Sequence, residues 1–392
     1  MDDARDRPVA TAGRALVGSE GRAGMRAAVR LPTRDLEADL QFFGDRLGFR
    51  LEAIYPADRP EVAILSGFGV RIQLQSGASG APATLCLLHD GSEALAEGES
   101  ELIAPNGTRI ELRRLGPPAW TGRGPVARSL LVHKLEGDDS WQIGRAGMQY
   151  RDLIGDRLGG AIVASHIRIP GGGPVADMVH FHAVRFQLIH CYRGWVKVVY
   201  EDQGPAFELV AGSCILQPPG IRHQVLEASR DLEVIELAVP AAHLTTIDHQ
   251  LVLPSDRAAP ERTFGGQRFC HHRADNAVWQ AWRLAGFEAR DTGIGAATGQ
   301  AAGVHVIRRS SGGPSGDPGL TCHDADALFT FVLAGYMTLQ APGRATHELA
   351  PGDAFVVPAA MPTGYRDCSP DLELLEVSWP GRFRTTRPQV AS

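Results

Sequence analysis

At 392 residues, 44% of them hydrophobic and 21% charged, the chain is too long for one ordinary core and reads as a globular protein of two or three domains. Its net charge of −6 comes without a basic run, so nucleic acid is not an expected partner, and no apolar stretch approaches the ~18 residues that span a bilayer. The 45 glycines and 26 prolines predict many turns and a β-rich fold, and six cysteines scattered without CxxC spacing fit free thiols in a cytoplasmic protein.

Taken in chain order, residues 1–24 mix Asp, Arg, Gly and Ala with no apolar core segment, which predicts a disordered tail rather than a signal peptide. A first folded block is expected over 25–115. Its opening, VRLPTRDLEADLQFFGDRLGFRLEAIY, reads as strand, helix, strand. Leu36, Leu40, Phe43 and Leu47 share one helical face, Thr33 or Asp35 can cap the helix, and Gly48 can stop it. EVAILSGFGVRIQLQ alternates as a hairpin around Gly67–Gly69, and Asn106-Gly107 marks a tight turn between later strands.

The rest is an internal repeat of short strands separated by Gly/Pro turns. AGMQYRD (146–152) matches AGFEARD (285–291), AGSCILQPPG (211–220) matches PGDAFVVPAA (351–360), and DLEVIELAVP (231–240) matches DLELLEVSWP (371–380). His166 matches His305 and Gly194 matches Gly335, all at offsets of 139 to 141. The pattern predicts two tandem β-barrels, over 116–245 and 246–392, with a short connecting helix at NAVWQAWRL before the second.

The first barrel carries the chemistry. His180 and His182 are two apart, so on a strand both imidazoles point to one face. Gln187 follows after a turn's length, and His223 lies just beyond the rigid turn Pro218-Pro219-Gly220. Three imidazoles and one side-chain oxygen suit one divalent ion: Fe(II), Mn(II), Ni(II), Co(II) or Zn(II). Arg222 could pair with a substrate carboxylate. An amide at 187 in place of a carboxylate would leave the metal and its ligands at +2 rather than +1, favouring an anionic oxygen ligand such as an enolate, a diol or an α-keto acid.

These residues resemble the cupin superfamily. His180, His182, Gln187 and Gly194 match the later part of its first motif, with Gln187 where the family has Glu. Gly212, Pro218, Gly220 and His223 match every position of its second motif. In the second repeat the same positions fall on Thr321, His323, Leu328 and Thr363, so only one of four ligands survives and that barrel is expected to hold no metal. The chain thus looks like a bicupin: mainly β, two tandem jelly-roll barrels, preceded by a small α+β module. That N-terminal block resembles the βαβββ modules of the glyoxalase/bleomycin-resistance/dioxygenase superfamily, in a degenerate form that packs, dimerises or lids the barrel site. Its first ligand position falls on Ala28, and Glu111 would stand alone at the late carboxylate position.

The cupin resemblance implies first an Fe(II)-dependent dioxygenase, in which the three histidines hold iron and a small anionic substrate and O2 bind beside each other. A cupin isomerase, cyclase or lyase using the metal as Lewis acid is the alternative. A ligand-binding bicupin without catalysis ranks last, since such a protein usually carries a DNA-binding or signalling module and no helix-turn-helix pattern is visible; no hydrolase elbow, P-loop or dinucleotide fingerprint is present either. A homodimer is the expected assembly, and no membrane association is expected.

Overall fold

The computed structural model describes residues 26–89, 100–115, 124–135, 141–144, 147–311 and 317–388; the expected N-terminal tail lies outside them. The chain divides into two compact units, one ending at Leu115 and one beginning at Gly116. Among the described residues, no helix is long and apolar enough to cross a membrane.

In the first unit, strand β1 (Val29–Thr33) leads into helix α1 (Leu36–Gln41), which runs on through a π-helical turn at Phe42–Arg46. Strands β2 (Arg50–Tyr55), β3 (Val62–Gly67) and β4 (Val70–Ser76) complete a sheet in the order β1-β4-β3-β2, with β1 parallel to β4. This is the βαβββ arrangement expected. Asp35 caps the helix, accepting from the Ala38 amide at 3.0 Å. Thr33 has another task. Its hydroxyl donates at 2.5 Å to Asp39, a fully buried carboxylate that also accepts from the Asn106 amide, and burial raises the Asp39 pKa. Strands β5 (Thr84–His89), β6 (Glu101–Ile103) and β7 (Arg109–Arg114) form a second sheet in the order β5-β7-β6. There β5 runs parallel to β7 and β6 antiparallel to it, the same relations that β1, β4 and β3 hold. Leu31, Phe43, Leu65, Ile72 and Ile110 form the unit's shared core.

The second unit holds two β-barrels. Ahead of the first come β8 (Leu131–His133) and β9 (Gln142–Ile143). The barrel follows with β10 (Gln149–Asp152), β11 (Val163–Ile169), β12 (Gly173–Pro174), β13 (His180–His182), β14 (Phe186–Arg193), β15 (Trp195–Tyr200), β16 (Phe207–Val210), β17 (Cys214–Leu216), β18 (His223–Ala228), β19 (Leu232–Val239) and β20 (Thr245–Ile247). A small hairpin, β21 (Thr263–Phe264) and β22 (Gln267–Arg268), then leads to β23 (Cys270–His272) and β24 (Gln280–Ala281). The second barrel comprises β25 (Phe287–Asp291), β26 (Gly303–Arg309), β27 (Cys322–His323), β28 (Ala327–Ala334), β29 (Met337–Gln340), β30 (His347–Leu349), β31 (Ala354–Pro358), β32 (Gly364–Arg366), β33 (Glu373–Trp379) and β34 (Thr385–Thr386).

Each barrel is built on a seven-stranded sheet, and the two orders correspond strand for strand. The first reads β9-β10-β11-β19-β14-β17-β23 and the second β24-β25-β26-β33-β28-β31-β8. The repeats therefore exchange an edge strand: β8, before the first repeat, pairs with β31 of the second, and β23, before the second, pairs with β17 of the first. A boundary at residue 245 separates β23 from the sheet it completes. The opposite wall of the first barrel is the sheet β16-β15-β18-β13-β20.

The two large sheets share a core of Leu188, Ile235 and Leu237 against Val306, Phe329, Phe331 and Val356. Two buried arginines at matching repeat positions cross it reciprocally. Arg151 donates to the Gly352 carbonyl at 2.6 Å and Arg290 to the Gly212 carbonyl at 2.9 Å. The matched turn glycines also do the same job twice. Gly194 and Gly335 hold φ of 73° and 69°, and beside each a serine hydroxyl (Ser229, Ser369) accepts from the next residue's amide at 2.9 Å.

One expected element is corrected. NAVWQAWRL is not a helix: a single 3-10 turn at Ala274–Asn276 gives way to strand β24. The tryptophans serve as platforms instead. Trp279 lies under the Arg308 guanidinium at 3.8 Å, as Trp141 lies under Arg168 at 4.2 Å in the first repeat, and Trp282 packs on His305.

Candidate metal centre

The three histidines meet. His180 and His182 project from β13 on one face, and His223, at the head of β18, pairs in register with His180. One ring nitrogen from each lies within 4.8 Å of the others, and the ring centroids are 4.3 to 5.2 Å apart. For His180 and His223 the tautomer follows from the partner. Nδ1 of His180 donates to the Met178 carbonyl at 2.7 Å, and Nδ1 of His223 to the Ile221 carbonyl at 3.0 Å. A carbonyl only accepts, so each Nδ1 carries the proton and each Nε2 keeps its lone pair. His182 Nδ1 stands 2.8 Å from the Thr245 hydroxyl on the neighbouring strand. The Asp177 carboxylate lies 3.6 Å from His180 Nδ1, and the Gln217 amide nitrogen 3.4 Å from His223 Nε2. Neutral imidazoles presenting converging lone pairs are a donor set that fits a divalent transition metal.

Gln187 enters from the other sheet, on β14, almost fully buried, and lines the same cavity as His182 and His223. Its amide nitrogen donates to Glu236 Oε1 on β19 at 2.6 Å, which leaves the amide oxygen as the group it can offer an ion. An amide at 187 can donate to Glu236 as it stands; a carboxyl group there would have to share a proton with Glu236 to make the same contact. It also changes the charge estimate made from the sequence. An acidic side chain absent at 187 is present one strand away, on Glu236, which the motif count did not single out. The available signal was an acid in the apolar strand VIELAV, repeated as Glu376 in the second copy.

The inner chamber, about 90 Å³, has apolar walls that include Met148, Ile167, Val198 and Val225. It adjoins a wider mouth of about 610 Å³ lined by Asp152, Arg157, Ser165, His243 and Thr245; His182 and Glu236 border both spaces. Tyr200 also lines the chamber. Its hydroxyl donates to Gln217 Oε1 at 2.5 Å, its ring stacks on His223, and burial pushes its pKa up.

Arg222 is placed elsewhere. One residue from His223, it has the opposite parity; its guanidinium lies over Phe181 at 4.4 Å, and its Nε donates to Asp248 at 3.3 Å. It is not among the residues lining the chamber or the mouth. His166 is bound to Glu233 at 2.6 Å and to Arg151, on the sheet face turned toward the other barrel. Burial depresses His190 to about 3 and raises the Cys191 thiol to about 12.

In the second barrel the matched positions also come together. Thr321 pairs with Thr363, as His180 pairs with His223, and His323 and Leu328 line the same space, which shrinks to about 10 Å³. Glu376 holds the register of Glu236, opposite Thr330 as Glu236 is opposite Ile189. There it is ion-paired with Arg283, whose guanidinium lies between Trp282 and Phe383. Burial, and then the Arg283 charge, depress His323 to about 4.

No family model matches the chain, and no curated protein matches it. Similar solved structures include an oxalate decarboxylase of Lactobacillus farciminis in a formate complex, 12% identical, covering 70% of this chain and 91% of that one, with a TM-score of 0.49. An S161A mutant of Bacillus subtilis oxalate decarboxylase is 11% identical over 64% of this chain and 77% of that one, TM-score 0.47. Salicylate 1,2-dioxygenase of Pseudaminobacter salicylatoxidans is 14% identical over 58% and 75%, TM-score 0.44. Strand order and duplication give this chain two tandem β-barrels, with His180, His182 and His223 gathered inside the first.

Proposed function

We propose that the chain is a metal-dependent bicupin enzyme in which His180, His182 and His223, with the Gln187 amide oxygen, hold one divalent ion, Fe(II) first among the candidates. The observation that supports this reading is the convergence of three imidazoles, two of which, His180 and His223, direct their Nδ1 protons to backbone carbonyls away from the shared point. The ion would supply Lewis-acid polarisation of a substrate oxygen and, if redox-active, electrons for oxidation. The chain's residues do the rest. Apolar walls exclude water, Gln187 and Glu236 fix each other, and the small chamber admits the head of a small oxygenated compound, an enol, diol or keto acid. Dioxygenation is the leading reaction. Isomerisation, cyclisation or lyase chemistry is the second reading, favoured by the Glu236 carboxylate in the cavity, which can hold a substrate proton.

The test is metal content after purification without chelators. We expect about one ion per chain, lost in His182→Ala and His223→Ala while the far-ultraviolet circular dichroism is unchanged. Unchanged metal in both variants refutes the assignment. Oxygen uptake on adding a diol or keto acid selects the first reaction class; turnover of the compound without oxygen uptake selects the second.

A further inference from the structure

We infer that His243 is a specificity-determining residue of the metal centre: its imidazole accepts a hydrogen bond from a hydroxyl or amine that the ligand carries beyond its metal-binding oxygens. The inference rests on the metal-binding reading above and narrows its substrate class. His243 lies in the segment that joins β19 to β20, and it lines the mouth together with His182. The two rings stand edge to face, with centroids 5.4 Å apart. Nδ1 of His243 donates to the Pro240 carbonyl at 3.0 Å, which orients the ring and leaves the lone pair of the neutral imidazole on Nε2. His243 is not one of the three histidines whose ring nitrogens converge within 4.8 Å. A ligand held by those three and extending into the mouth therefore has an oriented acceptor beside its metal-binding head.

The duplication supplies an internal control, and strand register fixes the alignment. Thr245 of β20 pairs with His182 of β13, and Thr385 of β34 pairs with His323 of β27. Two residues before each threonine stand His243 and Phe383, each three residues past the proline that follows the matched strands β19 and β33. Phe383 packs edge to face on His323 at 6.0 Å, as His243 packs on His182. The fold thus asks only for a ring at this position. The barrel that keeps one histidine at the four ligand positions has an apolar ring there. The barrel with three has a ring that carries a nitrogen acceptor, on a mouth of about 610 Å³. The neighbouring contact follows the same division: the Thr245 hydroxyl lies 2.8 Å from His182 Nδ1, whereas among the described residues no hydrogen bond joins the Thr385 hydroxyl to His323.

The experiment uses the full chain loaded with Co(II), whose visible spectrum reports ligand binding without turnover. Pyruvate and 3-hydroxypyruvate are titrated in parallel; they share an α-keto acid head and differ by one hydroxyl. We expect the parent to bind 3-hydroxypyruvate more tightly. His243→Phe puts at 243 the ring that the second barrel already uses; it should keep its Co(II) and lose the preference, changing the ratio of the two Kd values by about threefold or more, the worth of one neutral hydrogen bond. His243→Gln, which keeps a side-chain acceptor, should retain part of the preference. A parent that takes up Co(II) but binds 3-hydroxypyruvate no better than pyruvate overturns the inference and leaves the metal site standing. So does a Kd ratio that is the same in His243→Phe as in the parent. Loss of Co(II) from both variants with unchanged far-ultraviolet circular dichroism would make His243 a metal ligand rather than a selector, and overturns it too. If the parent chain takes up no Co(II), the metal-binding reading and this inference fall together.

Discussion

Removing the Arg283 guanidinium from the second barrel tests whether that barrel depends on its own buried ion pair. Arg283 and Glu376 are ion-paired in its interior; Glu376 is 1% exposed, and its second oxygen has no hydrogen-bond partner among the described residues. Breaking a buried pair by deleting one partner costs about 3–5 kcal/mol, because the remaining charge has lost its compensation. Replacing both partners with apolar groups of similar volume is near neutral or even favourable. We therefore expect Arg283→Met to destabilise the second unit by about 3–5 kcal/mol and Arg283→Met/Glu376→Leu to return to within about 1–2 kcal/mol of the parent. Urea unfolding followed by tryptophan fluorescence measures this, since all six tryptophans lie beyond residue 115 and report on the second unit alone. A cost below about 1 kcal/mol for Arg283→Met, or two single-variant costs that simply add in the double variant, would refute the account of a barrel stabilised by its own internal cation.

Acid stability offers another check. His323 is held near 4 against an ordinary 6.5, so the folded state stays neutral while the unfolded chain takes a proton. Its contribution is intact above pH 6.5 and is lost as pH falls toward 4. His323→Phe should remove about one proton, or about 1.4 kcal/mol per pH unit, from the slope of unfolding free energy near pH 5; an unaltered slope would show that His323 titrates normally. Gly335→Ala should cost more than about 2 kcal/mol. It combines a left-handed φ of 69° with a Cβ placed 2.3 Å from Ser369 Oγ and 2.7 Å from Leu372 backbone atoms. A loss under about 0.5 kcal/mol would mean that the turn relaxes freely.

The site was legible where chemistry is written in local spacing. His180 and His182 share a strand face whatever the surroundings, and the Pro-Pro-Gly turn ahead of His223 needs no tertiary context. The matched offsets of the repeat likewise gave the two barrels, and Thr321, Leu328 and Thr363 fell where the count put them. The contact between Gln187 and Glu236 depends on how two strands distant in sequence are registered, so the charge argument drawn from residue 187 alone was incomplete. NAVWQAWRL misled because two tryptophans three residues apart mimic a helical stripe, whereas here each is flattened against a cation or an imidazole. Strands of three residues, such as β8 and β23, have no period to read at all.

The exchange of β8 and β23 has a consequence for biosynthesis and for engineering. Neither half of the duplicated region is self-sufficient: cutting the chain between the repeats would strip each product of its outermost strand and expose a row of unsatisfied amides and carbonyls. On the ribosome, Leu131–His133 emerges long before its mate at Ala354–Pro358, a wait on the order of ten seconds at typical elongation rates of roughly 5–20 residues per second. Native assembly of this region is thus a late event that requires nearly the whole polypeptide, and truncations from the C-terminal side should yield insoluble fragments rather than a working half.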